Sequence, residues 1–200
     1  MPNFEAIGDV SRTLEQFLTN ELLALAPPNP APVAQLHDLV TPPSGTPPVL
    51  TLFLYDIVED GSARNRPLVR TPVQTAGHQR VVSKKPPAAL ILRYMMTAWA
   101  GDRVTEHRIM GRVIQAFYER ATLSGPLLLN SLADTTEALH MTLSPIALDD
   151  RARVWEAIQK TYRLSINYEV RVVHIDSEYS RSLPAVTEQL VQPALVEGSP

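Results

Sequence analysis

Cysteine is missing from this chain of 200 residues, and its absence removes several classes of function at once. Without thiols there is no disulfide framework, no thiolate metal site and no cysteine nucleophile. Charge of one sign is not in excess either, because 18 basic residues face 21 acidic residues, for a formal net charge of -3. This balance gives no general reason to expect nucleic acid or a membrane surface as a partner, and we expect neither.

Long hydrophobic runs are absent as well. No stretch approaches the roughly 20 apolar residues that are needed to cross a bilayer. Residues 1–10 lack the charged start and the apolar core of a signal peptide. We therefore expect a protein that is made and assembled in the cytoplasm and that leaves the cell only within a larger particle.

Sequence motifs for catalysis and cofactor binding are also lacking. There is no GxxxxGK[ST], GxGxxG, HExxH or GxSxG pattern, and the five histidines are scattered without ligand spacing. Asp102, Glu106 and His107 come nearest to a catalytic cluster, but on a helix His107 would point about 100° away from Glu106. Helix capping and solvation explain these residues more simply, so we expect no enzyme activity, no cofactor and no metal. A small ligand-binding or enzymatic α/β domain centred on them is an alternative.

Hydrophobic periodicity predicts the regular elements that are present. Apolar residues recur every three or four positions over 3–26, which predicts a helix that Pro27 and Pro28 end. The other predicted elements are strands over 49–58, 89–100 and 139–143, a helix over 102–120 with Asp102 as its N-cap, and a helix that begins at Asp149-Asp150.

Two of these elements carry specific burial predictions. The helix over 102–120 is expected to bury Met110, Val113, Ile114 and Phe117, and the last helix to turn Ala152, Trp155 and Ile158 inward. Strict alternation over 164–172 predicts a further strand with one buried face and one wet face. Together the elements indicate an α/β or α+β domain with a small sheet of about four strands and about three helices.

Three segments interrupt this pattern. Residues 27–48 hold 8 of the 18 prolines and are predicted to form a linker or wrapping arm. Residues 59–87 are predicted to form a polar loop, in which six basic residues against two acidic residues give a local charge of +4. We expect a domain over 1–176 that includes both of these segments, and a C-terminal tail or arm over 177–200.

The basic loop over 59–87 is either a solvated loop or a contact arm for an acidic surface. Nucleic-acid binding normally interleaves basic and aromatic residues, whereas Tyr55 and Tyr94 only flank this loop. The pattern therefore favours a protein partner, with a nucleic-acid binder as the weaker alternative. Trp99 and Trp155 lie on apolar faces, which predicts that they belong to the core or to a subunit interface.

Three stretches resemble a known protein family: residues 51–67, 92–117 and 143–177. Their shared elements are a Leu-Tyr strand before Arg64-Asn65-Arg66-Pro67, Tyr94 with Thr97-Ala98-Trp99, Gly111, and Trp155 followed by Tyr162-Arg163-Leu164-Ser165. In order and spacing they resemble the cap proteins of extracellular contractile injection systems of the antifeeding-prophage and virulence-cassette type. The resemblance extends from the first helix to about residue 188.

This resemblance implies a fold similar to phage tail terminators, a small mixed sheet flanked by helices with extended arms. It implies a homohexameric ring that stops polymerisation of the inner tube and joins the tube end to the last sheath layer. It implies no catalytic residue and no cofactor, and we expect no further anchoring module. A phage tail-completion or baseplate adaptor protein is the structural alternative.

The expected partners are thus other copies of the chain and the tube and sheath subunits. We expect the basic loop to provide the contacts to tube or sheath. The predicted docking residues are Arg64, Asn65, Arg66, Arg70, Lys84 and Lys85.

Overall fold

The structure, a computed structural model, describes residues 3–25, 29–41, 43, 48–64, 66–75 and 78–184. Within those ranges the chain forms three α-helices and nine β-strands. The helices are α1 (Ala6–Leu22), α2 (Arg103–Glu119) and α3 (Leu148–Ala157). The strands are β1 (Val33–Leu36), β2 (Val49–Glu59), β3 (Val69–Thr75), β4 (His78–Lys84), β5 (Ala88–Trp99), β6 (Thr122–Ser124), β7 (Ala138–Leu143), β8 (Ser165–Ile175) and β9 (Ser180–Pro184). The predicted fold class is confirmed, with more strands than expected.

A six-stranded sheet organises the larger of two compact units, which comprises residues 1–65 and 87–176. The strand order is β1-β2-β5-β8-β7-β6, with β1 and β2 parallel and the other neighbours antiparallel. Helices α1 and α2 cover one face, where Phe17 stacks on Phe117 at 5.7 Å and Phe117 meets Tyr168 at 4.7 Å. The aromatic contacts join both helices to the central strand β8.

Helix α3 lies on the opposite face of this sheet. Trp155 is 1% exposed and packs with Leu39 and Met95. The prediction of a wet face along β8 is wrong here, because Ser165 and Asn167 point to this side and are 0% and 1% exposed. A strand pattern shows which residues share a face, but not that a later helix covers the polar one.

Part of the proline-rich segment 27–48 is ordered into the same sheet. Strand β1 pairs in parallel with the start of β2, from Val33 opposite Val49 to Leu36 opposite Leu52. This edge strand was not predicted, since it has only four residues and directly follows Pro32. Residues 26–28, 42 and 44–47 lie outside the described residues.

A second compact unit comprises residues 66–86 and 177–200 and contains a three-stranded sheet, β3-β4-β9. The prediction of a loop over 59–87 is wrong for most of its length, because β2 extends to Glu59 and β3 and β4 form a hairpin. A proline such as Pro72 is not expected within a strand, because proline cannot donate a hydrogen bond to the neighbouring strand. It is tolerated in β3 because β3 lies at the edge of its sheet. The expected domain over 1–176 and tail over 177–200 stay a prediction, and residues 185–200 of that tail lie outside the described residues.

Helix α2 begins as predicted, since the Asp102 side chain accepts a hydrogen bond of 2.9 Å from the backbone N–H of Thr105. Met110, Val113 and Phe117 are buried. The prediction for Ile114 is wrong, because this side chain is 40% exposed. It follows Val113 by about 100° around the helix, which takes it off the centre of the buried face.

Candidate docking surfaces

The residues predicted to dock fall in both compact units. Arg64 follows β2 in the larger unit, whereas Arg66, Arg70, Lys84 and Lys85 belong to the smaller one. Arg70 lies in β3 and Lys84 ends β4, so the pairing of these strands brings the two residues to one end of the hairpin. Asn65 lies outside the described residues. We call β3, β4 and the adjoining Arg66 and Lys85 the basic hairpin.

Register assigns the charged side chains of the basic hairpin to two faces. Arg70 is opposite Ser83, and Ser83 is opposite Arg181 of β9, so Arg70 and Arg181 share one face. Lys84 is one position from Ser83 and therefore points to the other face. Each face thus presents basic groups, and Arg181 was missed because no local pattern links it to a hairpin far earlier in the chain.

These basic groups are exposed, apart from the half-buried Lys84, and few of them are neutralised. Arg64 forms a salt bridge of 3.4 Å with Glu59, in which the two side chains are 72% and 48% exposed. Such exposed pairs contribute little. No residue that the structure describes forms a salt bridge with Arg66, Arg70, Lys84, Lys85 or Arg181. The charges are therefore available to an acidic partner.

The residues considered for catalysis have structural partners instead. Asp102 caps α2, and hydrogen bonds from Thr105 lower the pKa of its carboxyl group. Glu106 is 7% exposed and accepts bonds from Arg103 at 2.7 Å and Arg163 at 2.6 Å. His107 is exposed on another face of the helix. Among the described residues no group of three potential ligands is placed to hold a metal.

The two tryptophans line a cleft beside α3. Trp155 donates its indole N–H towards Ser165 Oγ at 3.4 Å, and Trp99 donates to Thr51 Oγ1 at 3.0 Å. The guanidinium of Arg163 lies over the Trp99 ring, 4.2 Å from its centroid. The cleft has a volume of about 290 Å³ and is lined by Leu39, Trp99, Arg103, Trp155, Lys160, Thr161, Tyr162 and Arg163. It is small and carries cations rather than an acid–base pair.

A row of charges crosses the sheet beyond α3. Arg93 contacts Asp56 at 2.9 Å and Glu169 at 3.1 Å, and Arg171 contacts Glu169 at 2.8 Å. Burial alone would raise the pKa of Glu169, but bonds from Arg171 and Arg93 outweigh it and lower the pKa. The row is internally neutralised, so it stabilises the sheet and offers no reactive group.

The chain is similar to known proteins over most of its length. The profile described as the Pvc16 N-terminal domain matches residues 9–188. No curated protein matches in sequence. No described helix is long and apolar enough to span a membrane.

Two solved structures share the fold. One is the sheath/tube terminator of an extracellular contractile injection system, PVC, in the extended state, with a TM-score of 0.59, 22% identity and coverage of 95% of this chain and 65% of that chain. The other is the tube-terminating cap of the anti-feeding prophage, with a TM-score of 0.59, 20% identity and coverage of 93% and 61%. The chain spans less than two thirds of the length of either protein. The match over residues 9–188 shows that the chain belongs to the Pvc16 N-terminal domain family.

Proposed function

We propose that this chain is a structural, non-enzymatic cap of a contractile injection system. Six copies close into a ring at one end of the inner tube, stop addition of tube subunits and join the tube end to the last sheath layer. The observation that carries the proposal is the shared fold with two terminators, over 95% and 93% of the chain. The subunit assembles in the cytoplasm and leaves the cell only within the finished particle.

The basic residues supply the docking contacts in this proposal. Arg64, Asn65 and the basic hairpin (Arg66, Arg70, Lys84 and Lys85) meet acidic groups on tube or sheath subunits. Arg66, Arg70 and Lys85 support this role, because they are exposed and form no salt bridge inside the described chain, and complementary charge steers encounter and selects partners. The contacts should weaken as ionic strength rises.

A tube-elongation assay tests the proposed function. Preformed tubes are incubated with the purified chain and then offered labelled tube subunits. We expect one tube end to stop elongating and to carry the chain. Elongation at an unchanged rate at both ends would overturn the proposal, and binding at the baseplate end would instead support an adaptor protein.

Charge reversal tests the docking residues separately. Replacing Arg64, Arg66 and Arg70 by Glu should leave the ring intact and abolish its attachment to tube ends. Arg12→Glu is a single-site control, because Arg12 is an exposed arginine of α1 whose one salt bridge among the described residues is with Glu15, three positions along the helix. Attachment of the triple variant at the level of the control would show that these arginines do not dock.

A further inference from the structure

Helix α2 has an outward face that nothing in the described chain covers. Val104, Arg108, Gly111, Gln115 and Tyr118 lie within about 80° of one another around the helix, and we call them the α2 stripe. Val104 is 69% exposed and Tyr118 is 89% exposed. A large aromatic side chain this exposed on a rigid helix is typical of an interface anchor.

Gly111 lies at the centre of the α2 stripe. Glycine in a helix interior is less favourable than alanine by about 1 kcal/mol. A Cβ atom added to Gly111 would meet no atom within 4 Å, so packing among the described residues does not require glycine here. A partner that approaches the helix backbone closely would require it.

Helix α3 presents the complementary chemistry. Asp149, Arg153 and Glu156 are exposed, and the half-buried Ala152 borders them. The four lie within about 100° of one another around α3, and we call them the α3 stripe. Neither Asp149 nor Glu156 forms a salt bridge with any residue in the described ranges. Glu156 also lines a shallow trough of about 580 Å³ at the end of α3, together with Gln159 and Tyr162.

We propose that the α2 stripe of one copy packs in parallel against the α3 stripe of the next copy. From Arg108 the α2 stripe advances in steps of three, four and three residues to Gly111, Gln115 and Tyr118. From Asp149 steps of three and four reach Ala152 and Glu156, after which α3 ends at Ala157. The three matched positions span about 10 Å on each helix at 1.5 Å per residue.

This register pairs groups that suit each other. Arg108 meets Asp149 as an ion pair, and Gly111 meets the small Ala152, which lets the helices approach. Gln115 meets Glu156 as a hydrogen-bonding pair, and Tyr118 enters the trough beside Gln159. Charge and size thus agree at three successive positions of the two helices, and Tyr118 lies beside the trough at the end of α3.

The positions of the helices make this contact head-to-tail. Helices α2 and α3 lie on opposite faces of the six-stranded sheet, so a copy that uses its α2 stripe keeps its α3 stripe for another neighbour. Heterologous contacts of this kind generate closed rings or open filaments. The inference therefore rests on the proposed cap function, which requires a closed ring.

A pair of glycine variants tests the contact. Gly111→Leu places a side chain where the helices meet and should weaken ring formation by about tenfold or more. Gly8→Leu is the matched control, because Gly8 is also an exposed helical glycine with no atom within 4 Å of an added Cβ. Both variants should fold, as a thermal melt will show, and only Gly111→Leu should lose rings on tube ends in electron micrographs.

Charge exchange tests the register. Arg108→Asp and Asp149→Arg should each weaken the ring by about tenfold through like-charge contacts. Because both stripes belong to one chain, the double variant restores an ion pair at every contact and should recover rings. Recovery supports the register, and a double variant no better than the single ones overturns it.

Ring formation by the wild-type chain distinguishes failure of the proposed interface from failure of the proposed cap function. Rings on tube ends with the wild type and equally with Gly111→Leu and Arg108→Asp would overturn this interface and leave the cap function standing. Absence of wild-type rings, both in solution and on tubes, would overturn the cap function itself and the interface with it.

Discussion

Ser11 and Tyr94 join α1 to the centre of the six-stranded sheet through a buried hydrogen bond, with 2.7 Å between Oγ and Oη. Tyr94 is 0% exposed, and Ser11 also donates to the carbonyl of Ile7 at 3.0 Å. When the Tyr94 hydroxyl is removed, Ser11 therefore keeps its hydrogen bond to Ile7. When the Ser11 hydroxyl is removed, Tyr94 loses its hydrogen-bond partner.

Removal of the Ser11 hydroxyl should be the more damaging change. Ser11→Ala leaves the buried phenol without a partner, which costs about 1–3 kcal/mol, whereas Tyr94→Phe leaves Ser11 bonded to Ile7 and costs about 0.5–1.5 kcal/mol. Urea unfolding of both variants measures the difference. An equal or reversed order would contradict the assignment of these partners.

Alkaline pH should destabilise the fold through Tyr94. Burial raises the pKa of Tyr94 to about 12 from the model-compound value of 10.0, with the Ser11 bond acting in the opposite direction. The folded state therefore binds the Tyr94 proton more tightly than the unfolded state does. The contribution of Tyr94 to stability is complete below pH 10.0 and is lost as the pH rises towards 12. The free energy of unfolding of Tyr94→Phe should fall less over this range than that of the wild type.

Acid should act through Asp9, which lies in the first turn of α1. Burial would raise its pKa, but hydrogen bonds from Ser131 and Asn130 lower it below the usual 3.8. The stabilisation that the Asp9 carboxylate provides is therefore present above pH 3.8 and is lost as the pH falls through the pKa of Asp9 in the folded state. Asp9→Asn should cost about 1.5–3 kcal/mol at neutral pH, and its gap to the wild type in urea unfolding should narrow in acid. A gap that stays constant with pH would contradict this role.

Glycine replacement within helices should stabilise the monomer. Gly8→Ala and Gly111→Ala meet no neighbouring atom within 4 Å, and each should raise the free energy of unfolding by about 0.5–1 kcal/mol. Thermal unfolding of the isolated chain measures the change. Destabilisation at Gly111 in a confirmed monomer would mean that the space around it is occupied within the chain.

Trp155 should be the main anchor of α3. It is the one residue of this helix that is buried among those the structure describes. Trp155→Ala should cost about 3–5 kcal/mol, and hydrogen exchange should rise first over 148–157. Arg153→Ala on the outward side is the control and should change the stability by less than about 0.5 kcal/mol.

The regular elements could be predicted because their signals are local. The three- and four-residue spacing in α1, the capping residue Asp102 and the alternation along β8 are each contained within one short segment. These features do not depend on knowing which segments meet.

The remaining features depend on contacts between distant segments. Glu106 meets Arg163 across 57 residues, and Arg181 joins the basic hairpin through β9. The covering of Ser165 and Asn167 depends on where α3 packs, and the strand at Pro72 depends on β3 being an edge. No pattern within one segment carries that information.

Averaged images of the tube end test the central claim most directly. Tubes capped with the wild-type chain are imaged by cryo-electron microscopy, and the rotational symmetry and mass of the terminal density are measured. We expect one six-fold ring at one end, with a mass of six times 22.1 kDa. Binding along the tube wall, or a terminal density without ring symmetry, would contradict the account.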